Sequence, residues 1–464
     1  MGVIVSRLRL WLAECGYMSR ILLIGILILF LHIPVSMIQN QVVERQSSKK
    51  AAQANISAKW GKSQILIGPR IVVPYYQLEK NNSKGGTGVS HVKRIATFLP
   101  ESLNANAQVN NSLRYRGIFA IPVYDSKINL NGEFTRPNFS KLGLANTIIL
   151  WNEARLLVEV TDARAIQKKV TLNWNNKEYE FKPGLGAGIN KGQGFHVPIK
   201  NLLSTTKFKF HVQIDINGSR NLSLAPVGKH NTFKMSSNWK DPSFQGHWLP
   251  FKRKIDENGF LAQWRVSDIS RNYPQQWVNH LFDSGRLSRS IVGTDFIMTV
   301  DSYSMTIRSM KYFLLFVGST FALIWLLEAI FRLRVYIIQY VFIGLALALF
   351  YLLLTALSEH IGFGKAYFIA SLLIVGTVGA YSKTVLQNRR RAMMVAITTG
   401  LLYVFLYFLL QEAKFSFLIG SSSVFALLVA TMYLTRKLDW GSLNFKSKTS
   451  ALVDEDQEVE PNNG

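Results

Sequence analysis

The 464-residue chain carries 53 Lys and Arg against 28 Asp and Glu, a formal net charge of +25, and 48% of its residues are hydrophobic. A balance this basic suits either nucleic acid or a membrane surface and envelope polymer. The apolar runs described below favour the second, so a nucleic-acid partner is set aside. A single cysteine, Cys15, excludes an intrachain disulfide, so any soluble part must hold together by its core.

Residues 1–20 form a short N-terminal segment with Arg7, Arg9 and Arg20 against one acid, Glu14. An apolar run follows at about 21–40. It is long for a signal h-region. It gives way to Gln39-Asn40-Gln41-Val42-Val43-Glu44-Arg45 with no small-residue cleavage site, so it reads as an uncleaved anchor helix. His32 and Pro34 inside it read as tolerated packing residues. The helical pattern is expected to continue outward over about 40–60.

The segment from about 41 to 311 reads as β-rich, with many short runs of β-formers separated by Gly, Asn and Pro: a sandwich or meander. Two strands with a turn at Gly68-Pro69 are expected in Gln64–Leu78, and an alternating strand in Arg114–Val123. Asn131-Gly132 and Asn217-Gly218 are expected to turn the chain, Asn81–Gly88 to be a flexible loop, and 270–290 to hold a short helix. Further strands fall in Ile148–Val160, Lys169–Phe181 and Phe208–Ile216.

Five more apolar runs fill 312–435, at about 313–331, 335–357, 365–385, 393–411 and 415–435. A membrane helix needs ~20 mainly apolar residues. Arg332 and Arg334, Lys383 and Arg389–Arg391, and Arg436 and Lys437 fall on the same side as the N-terminal arginines if there are six spans. The positive-inside rule then makes both termini cytoplasmic and 41–311 extracytoplasmic. Residues 436–464 form an acidic cytoplasmic tail that reads as disordered. The expected fold class is therefore a membrane protein: an α-helical transmembrane bundle of six helices with a large β-rich extracytoplasmic domain inserted between helices one and two.

Several strings resemble the CreD family, inner-membrane proteins of Gram-negative bacteria tied to cell-envelope integrity. They are the helix from Tyr340 to Phe363 with its Leu357-Ser358-Glu359-His360 ending, Tyr403 and Tyr407, and the closing Met432–Trp440. Trp60-Gly61, Gly68-Pro69, Pro74-Tyr75, Ser237-Asn238-Trp239 with Pro242 to Pro250, and Asp301…Tyr303…Arg308 before the second span fit the same pattern. Ala165 stands where the pattern has Gly after Arg164. The resemblance implies a multi-pass protein of the bacterial inner membrane with its large domain in the periplasm. It also implies links to a two-component envelope-stress response, the β-lactam response and tolerance to colicin-type toxins. It brings no reaction, ligand or cofactor.

The candidate functional residues are few. Glu359 and His360 end the third span on the outer side, where a carboxylate beside a histidine suits a proton-responsive site or a headgroup cap. Glu328 and Arg332, four apart at the inner end of the second span, are expected to pair. Glu412 and Lys414 are expected to do the same outside. Trp239 and Trp248, with Phe244 and Trp264, form an aromatic stretch that reads first as core and second as a glycan or peptide surface.

Enzymatic chemistry is not expected. Ser-x-x-Lys at Ser47, Ser204 and Ser237 lacks the accompanying Lys-Thr/Ser-Gly of penicillin-interacting enzymes, and His91, His196, His211, His230 and His247 lack zinc-ligand spacing. The leading expectation is a non-enzymatic envelope-integrity protein acting through the periplasmic domain, its partners the lipid bilayer and envelope components. The alternatives are a small transporter or proton-coupled channel on helices two to six, and an adaptor for a membrane sensor kinase.

Overall fold

A computed structural model describes residues 16–83, 86–144, 147–189, 192–279, 285–298, 301–331, 333, 335–411 and 416–436. It divides into two compact units. One comprises 1–48 and 300–464, and its described residues are mainly helical; the described residues of the other, 49–299, are built of β-strands apart from short helical pieces.

The helical unit begins with α1, Gly16–Trp60, a continuous 45-residue helix through Pro34. Its last turns, from Lys49, belong to the β-rich unit. A short helix, α2, spans Gly285–Arg289 in the β-rich unit, where the sequence suggested a helix somewhere in 270–290; Gln276–Val278 there is strand instead. Then come α3 (Ser302–Met310), α4 (Phe313–Phe331), α5 (Ile337–Ile361), α6 (Phe363–Val385), α7 (Arg389–Gln411) and α8 (Ser416–Thr435). Among the described residues, α1 and α4 to α7 are long and apolar enough to cross a membrane. Large apolar side chains stand open on them: Leu29, Phe30, Phe368, Leu372 and Phe408 are each more than 60% exposed. A water-soluble bundle would bury such a surface, and a bilayer covers it at no cost.

Aromatic rings fill the middle of this unit. Tyr403 of α7 lies 4.5 Å from Phe350 of α5 and 5.3 Å from Phe316 of α4, and its carbonyl accepts from the Tyr367 hydroxyl of α6 at 2.7 Å. Tyr367 thus takes its apolar body into the core and still satisfies its hydroxyl.

The β-rich unit contains, among the described residues, eighteen strands. They are β1 (Gln64–Ser83), β2 (Gly86–Phe98), β3 (Ser102–Arg116), β4 (Phe119–Thr135), β5 (Ile148–Ile149) and β6 (Arg155–Val160). Next are β7 (Thr171–Trp174), β8 (Lys177–Glu180), β9 (Lys182–Pro183), β10 (Gln193–Pro198), β11 (Lys207–Ser219) and β12 (Asn221–Leu224). Last come β13 (His230–Ser237), β14 (Pro242–Gly246), β15 (Lys252–Asp256), β16 (Gly259–Ser267), β17 (Gln276–Val278) and β18 (Val292–Phe296). One sheet runs β14-β18-β12-β1-β6-β10-β9, with β2 and β5 also on β1 and β17 on β2. The other runs β15-β16-β13-β3-β4-β11-β7-β8. Pairing is antiparallel except for β1–β12 and β3–β13.

One hydrophobic core joins the inner faces of the two sheets. Ile71, Val73, Leu156, Val158 and Leu222 come from the first, and Leu103, Ala105, Leu130, Ile214, Phe233 and Trp264 from the second. Alternation of buried and more open residues along β3 and β11 produces the inner face.

The sequence reading fails at its turns. Gln64–Ser83 is one strand that carries a cis Gly68–Pro69 bond and a register shift between Ile67 and Arg70, not two strands. Arg114–Val123 is not a single strand, because the β3–β4 hairpin turns at Gly117 within it. β4 runs straight through Asn131-Gly132, and β11 through Asn217-Gly218. Both glycines are there for close approach. A Cβ on Gly132 would lie 2.0 Å from the Ser102 carbonyl oxygen, and one on Gly218 2.2 Å from the Tyr124 hydroxyl. The turns fall at residues with positive φ instead: Asn175 and Asn176 between β7 and β8, and Arg220 between β11 and β12. Residues 81–83 and 86–88 pair as strands where the sequence suggested a loop, and 84 and 85 lie outside the described residues.

The end of α1 is fastened to the strands by polar contacts. Trp60 donates from Nε1 to the Tyr124 carbonyl at 3.1 Å, and the Arg114 guanidinium lies over its ring at 4.3 Å. Asn55 accepts from Arg116, and Ser57 meets Ser219 at 2.8 Å.

Acid should loosen this unit. Asp162 is 3% exposed and its carboxyl is held below the usual carboxylate range, chiefly by the hydrogen bond from Arg164. Asp215 is lowered in the same way by Lys168. A carboxylate with a lowered folded pKa adds stability above its unfolded pKa of ~3.9, and that stability is lost as pH falls through the folded value. Asp162→Asn removes one such group. The expected outcome is a shallower loss of urea resistance below about pH 4 than in the parent; parallel curves would refute it.

Candidate functional site

The residues that sequence reading singled out at the outer end of the third span meet a network that it did not foresee. Glu359 and His360 occupy the last turn of α5. The helix turns them apart: the Glu359 side chain is 12% exposed, whereas His360 is exposed and stands outside the network. Glu359 Oε1 accepts from the Tyr303 hydroxyl of α3 at 2.8 Å and lies 3.9 Å from Arg45 Nε of α1. Burial first, and the Glu359 hydrogen bond second, raise the Tyr303 hydroxyl above its ordinary range, so it remains a donor at any physiological pH.

Beside this pair, Asp301 caps α3. Its carboxylate accepts from the Ser304 amide at 3.3 Å and from the Ser304 hydroxyl at 2.5 Å. Gln46 of α1 donates to Asp301 at 3.3 Å and to Ser304 at 3.1 Å. The α3 helix forms because Asp301 supplies the N-cap and Tyr303, Met305, Thr306, Ser309 and Met310 give it one buried face. The result is a joint of two carboxylates, a cation, a phenol and an amide that ties α1, α3 and α5 of the helical unit.

Tyr303, Arg45, Asp301 and Gln46 carried no assigned role in the sequence. Asp301 before Ser302-Tyr303-Ser304 is a readable cap signal. Its partner Gln46, 255 positions earlier, is not readable from any local pattern.

At the opposite end of α4, Glu328 is 1% exposed. Its carboxyl accepts from the Tyr340 hydroxyl at 3.1 Å and the Val335 amide at 3.3 Å, closing the link between α4 and α5. Arg332, the expected partner, lies outside the described residues. Glu412 and Lys414 do as well.

Of the aromatic stretch, Trp264 is core, 1% exposed, and donates from Nε1 to the Trp248 carbonyl at 3.1 Å. Trp239 and Trp248 are half-buried and pack against the sandwich core. Trp239 Nε1 is taken by the Asp241 carbonyl at 3.1 Å. The core reading therefore prevails over an open aromatic platform, because these rings already have partners inside the domain. Among the described residues, no group of three or more His, Cys, Asp or Glu is placed to hold a metal ion.

Apolar helices of spanning length, ionisable groups gathered at their ends and a two-sheet domain inserted after the first helix define a membrane protein with a large β-rich domain. Comparison with known proteins assigns it further. The family model for "Inner membrane protein CreD" matches residues 16–441. The Inner membrane protein CreD of Escherichia coli (strain K12) is 31% identical over 434 residues, covering 93% of this chain and 96% of that protein. The chain belongs to the CreD family, and the family name and the apolar helices agree on an inner-membrane location.

Proposed function

We propose that this protein is a non-enzymatic envelope-integrity factor whose β-rich domain acts in the periplasm on envelope components. Six spans with both termini in the cytoplasm put the domain there, as the distribution of Arg and Lys around the apolar runs favours. The single observation that carries the reading is the inserted domain itself: more than half of the chain is spent on a two-sheet sandwich. A protein whose work lay wholly within the bilayer has no use for a domain of that size. The stress-response, β-lactam and colicin links implied by the family resemblance are effects expected of such a factor.

A second reading is a proton-coupled transporter on α4 to α8, favoured by the carboxylate joint at Glu359. An adaptor role toward a membrane sensor kinase is a third, for which the sandwich would be the sensing part.

Complementation separates the first two. In a deletion strain, the full chain is compared with residues 1–311, which keep α1 and every strand but drop the later helices, with the expression and export of both checked. Restored resistance to envelope stress by 1–311 is the expected result. Restoration by the full chain alone would move the function into the helices.

A further inference from the structure

We propose that the outer face of the β15-β16-β13-β3-β4 sheet is a binding site for a neutral oligosaccharide, a chain rich in hydroxyl and acetamido groups. This rests on the reading that the sandwich acts on envelope components. A groove of about 630 Å³ opens there, within the range of ligand sites. Its polar lining includes Gln108 and Asn110 of β3, Asp125 and Lys127 of β4, and Asn258 at the β15–β16 turn.

The lining is organised before any ligand arrives. Asn238 donates to Asn110 Oδ1 at 3.2 Å and to the Asn111 carbonyl at 3.0 Å, and accepts from the Asn111 amide at 2.7 Å. Asn110 in turn donates to Asp125 at 3.3 Å. Each side-chain amide has two donor hydrogens and two lone pairs, so this rail is fixed yet keeps hydrogen-bonding capacity for the groove. Amides that donate and accept side by side match vicinal hydroxyls and acetamido groups, which do both as well.

The same lining argues against other ligands. Asp125 and Asp256 offset Lys127 and Lys254, and Lys254 already pairs with Asp256 at 3.4 Å, so neither a polyanion nor a polycation is drawn in. Among the apolar side chains of the lining, Val109 and Phe260 are buried and Leu261 is half-buried, so they form no deep slot for an acyl chain. The edge strand β15 reads Lys252-Arg253-Lys254-Ile255-Asp256, all exposed, and such a charged edge resists the addition of a peptide strand.

The test uses the full chain in a detergent without a sugar headgroup. The probe is a tetramer of β-1,4-linked N-acetylglucosamine, followed by calorimetry. The comparison arms are a glucose tetramer, a sulfated polyanion and an extended decapeptide. Saturable binding of the N-acetylglucosamine tetramer is expected, weakened about tenfold by Gln108→Ala and, independently, by Asn258→Ala. Both side chains are exposed, so the melting temperatures should not move. Binding of the glucose tetramer too would support recognition through hydroxyls. No saturable sugar binding, sugar binding indifferent to both variants, or binding of only the polyanion or the peptide would overturn the proposal. The parent reading is tested separately by Asn258→Cys in a Cys15→Ser background. Labelling by an impermeant maleimide from outside the inner membrane upholds the periplasmic location whatever the sugar does; labelling only after lysis removes it.

Discussion

Trp264→Ala is expected to destabilise the β-rich unit by ~3–5 kcal/mol, the range for truncating a fully buried large aromatic. Trp264 sits on β16 with its ring in the shared core, edge-on to Phe244 at 5.9 Å. The substitution removes that ring and leaves a cavity between two sheets whose strands cannot close over it without breaking register. It also strands the Trp248 carbonyl that Trp264 Nε1 now serves. A domain's net stability is ~5–15 kcal/mol, so the loss takes a large share of it. Trp264→Phe keeps most of the ring and should cost less. The measurement is protease resistance of the full chain across a urea series, read on cleavage within 64–298. An unchanged midpoint for Trp264→Ala would mean that the two sheets do not share one core at this point.

Glu359→Ala is expected to disable the helical unit's polar joint, costing ~2–3 kcal/mol by the usual worth of a hydrogen bond to a charged group. Tyr303 is 5% exposed, and its hydroxyl loses the Glu359 acceptor it now has at 2.8 Å. Arg45 loses its facing carboxylate as well. Glu359→Gln keeps an acceptor for Tyr303 but removes the titratable group. The pair of variants therefore separates structure from proton chemistry. If the joint is a clamp, Gln restores melting behaviour and complementation at every external pH between about 5 and 8. If the transporter reading is correct, Gln restores melting but abolishes a pH-dependent activity. Equal melting of the Ala variant and the parent would remove the clamp.

Single stretches of sequence were enough to read several apolar helices of spanning length and a large β-rich domain. A run of ~20 apolar residues has one stable environment, whatever else the chain does. The resemblance to the CreD family was legible for a similar reason: its strings are contiguous, and several of them carry structural work that the fold makes plain. Trp60 fastens the end of α1, Asp301 caps α3, and Tyr403 centres the aromatic packing of the helices.

Turns and sites were another matter. Asn131-Gly132 and Asn217-Gly218 carry the strongest local hairpin signal, yet both lie inside strands, because Gly is equally the residue that lets a neighbouring strand or side chain come close. Nothing within a few residues of Gly132 reveals that Ser102 will stand against it. Glu359 and His360 are adjacent in sequence, but a helix sends consecutive side chains about 100° apart, so one enters the joint and the other leaves it. The partners that give Glu359 its setting come from Tyr303 and Arg45, far along the chain. The amide rail of the groove likewise joins Asn110 to Asn238 across paired strands. Local composition determined which runs of this chain are long and apolar enough to cross a bilayer and that the segment after the first helix is rich in strands. Which of its polar residues face one another was decided only by the tertiary structure, because hydrogen bonds between distant segments leave no periodic trace in the sequence.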